Sequence, residues 1–369
     1  MTQITHQRLY SLDALRGLDM LLIIGLDGVF IKMSIATHLP VFETIATQFT
    51  HTRWNGFHLY DGIFPLFLFI AGVATPYSIG RLLEKGRSRS SLVLRVVKRG
   101  LILVVLGIVF NNGLKLQPLS EMRFASVLGR IGLAYMFANL IYLFARKRWQ
   151  VAWFAILLVG YWLLLKFNAA PGFPRGDLTM QGNFASYVDR LALPGRLLHR
   201  GLHDPEGFLS TIPAIATGLL GIFAGMLLRE ERVTQNRKVL YLLAGGMISL
   251  ALSLLWNLDF PINKNLWSSS FVLCIGGISL MLLAIFYYVI DVRGYRKWAF
   301  FLKVIGMNSI LIYMSECFID WDFITDHLFH WLGQLIGNPY NVVILALCVV
   351  VVKWFFLYVL YRQKIFLKV

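Results

Sequence analysis

The chain has 369 residues, 57% of them hydrophobic and 15% charged, with a formal net charge of +16 and a mean hydropathy of +0.66. Soluble domains carry about 25% charged residues, so this balance excludes the ordinary globular class. It points to an all-α polytopic membrane bundle forming one continuous domain over residues 1–369, with the bilayer as its solvent and the basic surplus set by topology rather than by nucleic acid.

A spanning helix needs about 20 predominantly apolar residues. In chain order the sequence offers 14–33, 58–83, 91–111, 124–145, 149–166, 207–228, 238–256, 267–290, 298–318 and 341–361, which predicts about ten spans. The first run follows Arg8 and holds Asp13, Arg16, Asp19 and Asp27. It lacks the apolar core and cleavage site of a secretory signal, so it counts as the first span. The stretch 323–337 is short, carries Asp326, His327 and His330, and reads as interfacial. Basic clusters fall at Lys85–Arg99, Arg146–Arg148, Arg229–Lys238, Arg293–Lys297 and Arg362–Lys368. With ten spans they share one side, which places both termini in the cytoplasm. The two long loops, 34–57 and 167–206, then face outward, and long loops in compact proteins are more often functional.

Ionisable residues near the middle of a span cost about 2.5–3.5 kcal/mol on insertion scales and need a partner or a polar cavity. Asp19 and Asp27 lie eight residues apart in the first span, which on a regular helix gives one face and a separation of about 12 Å. Asp61 opens the second span, Arg130 lies in the fourth, and Asn308 and Ser309 lie in the ninth. These polar groups favour an enzyme or a transporter over a passive scaffold, although buried pairs that only fix the bundle would look the same. Three polar clusters sit at predicted outward ends: His51–His58, His203–Gly207 and Asn263–Ser268. Asp204 or Ser210 is expected to cap the sixth span. His51 is the best single candidate for chemistry, because an unperturbed imidazole takes a proton near neutral pH. Cys274, Cys317 and Cys348 sit in apolar runs with neither metal nor disulfide spacing, so no metal is expected. Walker, zinc, Rossmann and G-x-S-x-G patterns are absent.

Seven ordered runs carry a resemblance. They are Ser11-Leu12-Asp13-Ala14-Leu15-Arg16-Gly17, His51 through Gly56, Asp61-Gly62-Ile63-Phe64-Pro65, Asp204-Pro205-Glu206-Gly207, Asn263-Lys264-Asn265-Leu266-Trp267-Ser268, Gly306-Met307-Asn308-Ser309-Ile310-Leu311 and Tyr361-Arg362-Gln363-Lys364-Ile365-Phe366. Together they resemble the heparan-α-glucosaminide N-acetyltransferase family and its bacterial NagX-like relatives along nearly the whole chain. The chain is similar to the ten-helix core, without the lumenal domain and extra first helix of the animal members. The resemblance implies transfer of acetyl from cytosolic acetyl-CoA to the amine of a glucosamine-type sugar across the membrane; in a bacterium the acceptor is expected to be glucosamine or a cell-wall-derived amino sugar. It also implies a homodimer in the bilayer, the inner membrane if the source is bacterial.

The resemblance places the catalytic histidine on His51, acting as a base in direct transfer or through an acetyl-histidine intermediate. Direct transfer is the preferred expectation, since two bound reactants already gain a large effective molarity. The animal family's asparagine in the first span matches Asp27 here. An ionised carboxylate cannot donate to an oxyanion, so Asp27 is expected to orient His51 and Asn55 to serve as the oxyanion donor. Arg16, Arg99, Arg130 and Asn308 match family positions and are expected to line the CoA path. Trp54, Asp61, Asp204, Glu206, Asn263, Lys264 and Trp267 are expected to contact the acceptor. The competing reading is an amino-sugar transporter or permease accessory, although the sequence shows no convincing internal repeat. O-acylation of a surface glycan is a third reading.

Overall fold

The computed structural model describes residues 9–115, 117–199 and 201–367, so Arg8 and Lys368 lie outside the described residues. The helices in chain order are α1 (Tyr10–Thr37), α2 (Pro40–Gln48), α3 (Leu59–Glu84), α4 (Arg89–Asn112), α5 (Val127–Phe144), α6 (Lys147–Phe167), α7 (Phe184–Ala192), α8 (Thr211–Arg229), α9 (Gln235–Trp256), α10 (Ser269–Val292), α11 (Phe300–Met307), α12 (Ser309–Ser315), α13 (Trp321–Ile336) and α14 (Asn341–Arg362). Only isolated β-bridges accompany them among the described residues. The fold is therefore all-α, as the composition requires.

Among the described residues, eight helices are long and apolar enough to cross a membrane: α1, α3, α5, α6, α8, α9, α10 and α14. Two of the ten predicted spans differ. Residues 91–111 do lie in one helix of 24 residues, α4, but Arg95, Lys98 and Arg99 sit in its first half. Residues 298–318 are broken into α11 and α12 at Asn308, whose φ of −128° and ψ of 33° leave the helical region. The first span is also interrupted. A π-helical turn at Leu22–Leu26 contains Gly25 at φ 131°, a conformation open essentially to glycine. The predicted common face of Asp19 and Asp27 assumes a regular helix between them, and that helix does not exist. Asp19 is fully buried and Asp27 only half-buried.

The chain sorts into two compact units. One holds the residues up to Thr50 together with 233–244 and 280 onward, and the other holds His51–Arg232 and Gly245–Ser279. In the second unit, α3 and α8 form the buried centre, with 72% of each apolar window inside. They cross backbone to backbone: a Cβ on Gly72 would lie 2.2 Å from the Gly218 carbonyl oxygen. Small residues permit such approach where lipid supplies no hydrophobic drive between helices. At the periphery, α6 exposes Trp149, Val151, Trp153 and Ile156, the apolar belt a bilayer would cover.

The first unit uses the same device between α1 and α11. A Cβ on Gly17 would lie 1.8 Å from the Leu302 oxygen, and one on Gly306 would lie 1.9 Å from the Asp13 oxygen. The same unit buries Lys353 of α14. Its Nζ donates to the Ile24 carbonyl at 3.0 Å and pairs with Glu316 at 2.8 Å. Ile24 lies inside the π turn, where the regular helical hydrogen bonding is disturbed.

Candidate active site

His51 lies in the loop that precedes α3, and Asp61 lies in the first 3₁₀ turn of that helix. Asp61 is buried, and its carboxylate collects four donors. His51 Nδ1 lies 2.8 Å from Oδ1. Thr52 Oγ1 at 3.1 Å, the Thr52 amide at 3.4 Å and the His58 amide at 3.1 Å reach Oδ2. An ionised carboxylate only accepts, so the proton between His51 and Asp61 belongs to Nδ1. Nε2 then carries the lone pair, and the ring is about half exposed, with 52% of the side chain accessible. Lys264 Nζ stands 3.1 Å from Nε2 and 3.8 Å from Asp61 Oδ1. Its 3.0 Å approach to Nδ1 is a contact rather than a hydrogen bond, since that nitrogen has already given its proton to Asp61. Burial pulls the Lys264 ammonium below its ordinary range, with Glu206 and Asp61 pulling it back.

The predicted polar clusters meet here. Asn263 accepts the Leu266 amide on Oδ1 at 2.8 Å, which makes its Nδ2 the donor to Asn55 Oδ1 at 3.0 Å. That polarity leaves the Asn55 amide nitrogen as a donor on an exposed side chain. The Gly56 amide donates to the Ile262 carbonyl at 2.8 Å, and the Trp54 ring meets His203 edge-on at 5.1 Å.

Beside this group lies a closed ionic network. Arg123 bonds Asp204 through Nε at 2.8 Å and Nη2 at 2.7 Å, and also bonds Glu206. Burial works against the charges, but the pairing overrides it, raising Arg123 and lowering Asp204 from their ordinary values. Asp189 on α7 accepts the Phe208 and Leu209 amides on Oδ1 at 2.8 and 3.4 Å, while a Cβ on Gly207 would sit 1.7 Å from its Oδ2. Burial lifts its carboxyl to about 6, with those two amides opposing the shift. Burial takes His203 down to about 3, so this imidazole is neutral and accepts no proton at physiological pH. It bonds Ser186 Oγ at 2.7 Å, a structural bond inside the loop.

Residues 8–257 match a family described as heparan-alpha-glucosaminide N-acetyltransferase, catalytic. The chain belongs to that family. Two relatives named heparan-alpha-glucosaminide N-acetyltransferase match over 98% of this chain: the human protein at 30% identity and the mouse protein at 31%. The chain spans about 60% of the length of each.

In this member of the heparan-alpha-glucosaminide N-acetyltransferase family, the residues expected at the site divide sharply. His51 and Asn55 are exposed, and Lys264 is largely buried beside His51. Asp61, expected against the acceptor, instead holds His51, which leaves no orienting task at Nδ1 for Asp27. Several other expected acceptor contacts are used inside the protein. Trp54 Nε1 donates to the Leu178 carbonyl at 2.9 Å. Asp204 and Glu206 both bond Arg123. Asn263 and Trp267 are fully buried, and Trp267 Nε1 donates to Thr217 at 3.3 Å. The expected cap on α8 is not formed either: Ser210 makes no cap bond, its hydroxyl donating to the Gly207 carbonyl at 3.3 Å while accepting from Arg130.

The four residues expected on the CoA path also differ. Arg130 is buried over the Trp267 ring at 4.9 Å and donates to the Gly207 carbonyl at 3.2 Å. Its Nε and Nη1 have no hydrogen-bond partner among the described residues, a donor set that fits a carbonyl or anionic acceptor. Arg99 stacks on Tyr135 at 4.6 Å with its Nε likewise unpartnered. Arg16 lies 3.7 Å from Asp13. Asn308 is spent on the backbone, donating to the Ile365 carbonyl at 2.9 Å and accepting the Leu367 amide at 3.0 Å.

Reading the sequence alone misses Arg123, Thr52 and Asp189. Arg123 is 81 residues from Asp204, and no local spacing announces that pair. Thr52 lay inside a quoted cluster but carried no role.

Proposed function

We propose that this chain is a membrane N-acetyltransferase that moves acetyl from acetyl-CoA to the amine of a glucosamine-type sugar, with His51 as general base. The observation that carries the reading is the His51–Asp61 pair: a buried carboxylate fixes the Nδ1–H tautomer and leaves Nε2 accessible as a base. Family membership supplies the reaction class. In the transfer, the amine nitrogen forms a bond to the thioester carbonyl carbon and the carbon–sulfur bond breaks. The amine proton passes to His51 Nε2, and Asp61 stabilises the imidazolium. That proton then goes to the departing CoA thiolate. The Asn55 amide nitrogen is the nearby neutral donor for the oxyanion. Lys264, in place beside Nε2, adds positive potential for the same developing charge, and the acceptor amine displaces its hydrogen bond to the base. Direct transfer needs no covalent enzyme intermediate.

The test is purified protein incubated with acetyl-CoA and glucosamine, with free thiol measured over time. The reading predicts thiol release that depends on the amino sugar and an N-acetylated product. Absence of release with every amino sugar, alongside uptake of the sugar into proteoliposomes, would favour the transport reading.

A further inference from the structure

An amine already stands at the base. Lys264 Nζ lies 3.1 Å from His51 Nε2, the nitrogen left with the lone pair, and its side chain is only 13% exposed. An acceptor nitrogen that gives a proton to Nε2 must come within hydrogen-bond reach of it, so Nζ occupies the place an acceptor amine would take. Asp61 Oδ1 is 3.8 Å from Nζ, beyond hydrogen-bond length. Lys166 and Lys353, by contrast, are tied to Asp259 and Glu316 at 2.6 and 2.8 Å. An ammonium held by a carboxylate keeps its proton, whereas one beside an imidazole has a base to receive it.

Both partners of this pair are held in place. The Lys264 carbonyl accepts the Trp267 amide at 3.0 Å. Its neighbour Asn263 donates its amide to Ser268 Oγ at 3.0 Å and accepts the Ser268 amide at 3.0 Å. Asn263, Trp267 and Ser268 are fully buried. Asn263 also bonds Asn55 at 3.0 Å, which ties the lysine's segment to the oxyanion donor. On the other side, the Tyr60 ring packs on His51 with 4.9 Å between centres. Held geometry of this kind is what gives an internal reactant its large effective molarity. Burial lowers the Lys264 ammonium from its ordinary range, which favours the free amine that attacks.

We propose that Lys264 is a self-acetylation site: with acetyl-CoA bound and no amino sugar present, its Nζ takes the acetyl group. The assignment rests on the acetyl-CoA reading above. The ammonium first passes one proton through His51 Nε2 to solvent, which the half-exposed ring meets. The neutral Nζ then bonds to the thioester carbonyl carbon as the carbon–sulfur bond breaks. The second Nζ proton goes to Nε2 and from there to the CoA thiolate. The products are an N-acetylated Lys264 and CoA, with one proton released. Acetylation removes the positive charge beside His51.

The experiment incubates the full chain in detergent micelles with acetyl-CoA and no sugar, and follows single-acetyl mass gain by intact mass and peptide mapping. Exposed Lys85 reports uncatalysed chemical acetylation in the same sample. Wild type is expected to label Lys264 faster than Lys85, with CoA thiol released in equal amount. His51→Ala, with helicity checked by circular dichroism, is expected to slow labelling of Lys264 about a hundredfold and to leave Lys85 unchanged. Lys264 labelled no faster than Lys85 in wild type overturns the proposal, and that comparison needs no variant to fold. Labelling of Lys264 at the wild-type rate in His51→Ala overturns it as well. The two readings fail separately. A protein that acetylates glucosamine but leaves Lys264 unlabelled keeps the enzyme and loses this site. One that labels Lys264 through His51 but acetylates no amino sugar keeps the site and loses the sugar acceptor.

Discussion

Arg123 touches two carboxylates, whereas Lys303 in the other unit touches two phenol rings. Around Arg123 the carboxylates are answered from within the chain: Asp204 and Glu206 bond its guanidinium and Asp61 holds His51, while the neighbouring Arg130 keeps Nε and Nη1 without a partner among the described residues. Around Lys303, Arg362 and Lys364 the charges face a cleft, and Asp13, the carboxylate lining it among the described residues, lies 3.7 Å from Arg16. Buried charges that are fully paired make a rigid frame, and breaking such a pair is costly. The first cluster is a paired frame beside His51, and the second leaves its cations facing open volume.

Two perturbations sharpen that contrast on the paired side. Arg123→Met leaves Asp204 and Glu206 buried without their cation and should destabilise the fold by about 3–5 kcal/mol, read as a lower thermal unfolding midpoint in detergent. A midpoint equal to wild type would mean the network is not a frame. A smaller effect comes from Asp189. Its carboxyl is held at about 6 by burial, so the folded chain keeps a proton that the unfolded chain has lost. Stability from that proton is present below the unfolded value and fades as pH rises through about 6. Asp189→Asn retains an acceptor for the Phe208 and Leu209 amides and does not titrate. Wild type should therefore lose stability relative to this variant between about pH 4 and pH 7, by up to about 3 kcal/mol. Parallel stability curves across that range would show that the carboxyl ionises as freely as an exposed one.

Much of the helical framework was legible in the sequence because hydropathy over about 20 residues is a one-dimensional signal. The interruptions were not. Gly25 looks like any small residue in a span, yet it hosts the π turn that separates Asp19 from Asp27. Asn308 looked like a polar group inside a span, yet it ends one short helix and anchors the C-terminal segment. At the candidate site, His51 stands out in the sequence by its chemistry and its matched run. Asp61 was visible as a residue but not as the partner of His51, since nothing in a ten-residue separation says that a loop folds back onto the first turn of α3. Several residues expected against the acceptor have partners inside the protein for a related reason. Polar runs at helix ends mark places where backbone and side chains need partners, and Asn263, Asp204 and Glu206 found theirs inside the protein.

The central claim is that His51 takes the proton of the acceptor amine. The most direct measurement compares wild type with His51→Ala for thiol release from acetyl-CoA in the presence of glucosamine, with CoA binding measured on the same samples. The account predicts unchanged CoA affinity and a fall in kcat of roughly a thousandfold, within the span expected for loss of a general base. A His51→Ala protein that binds CoA and acetylates glucosamine at the wild-type rate would contradict it.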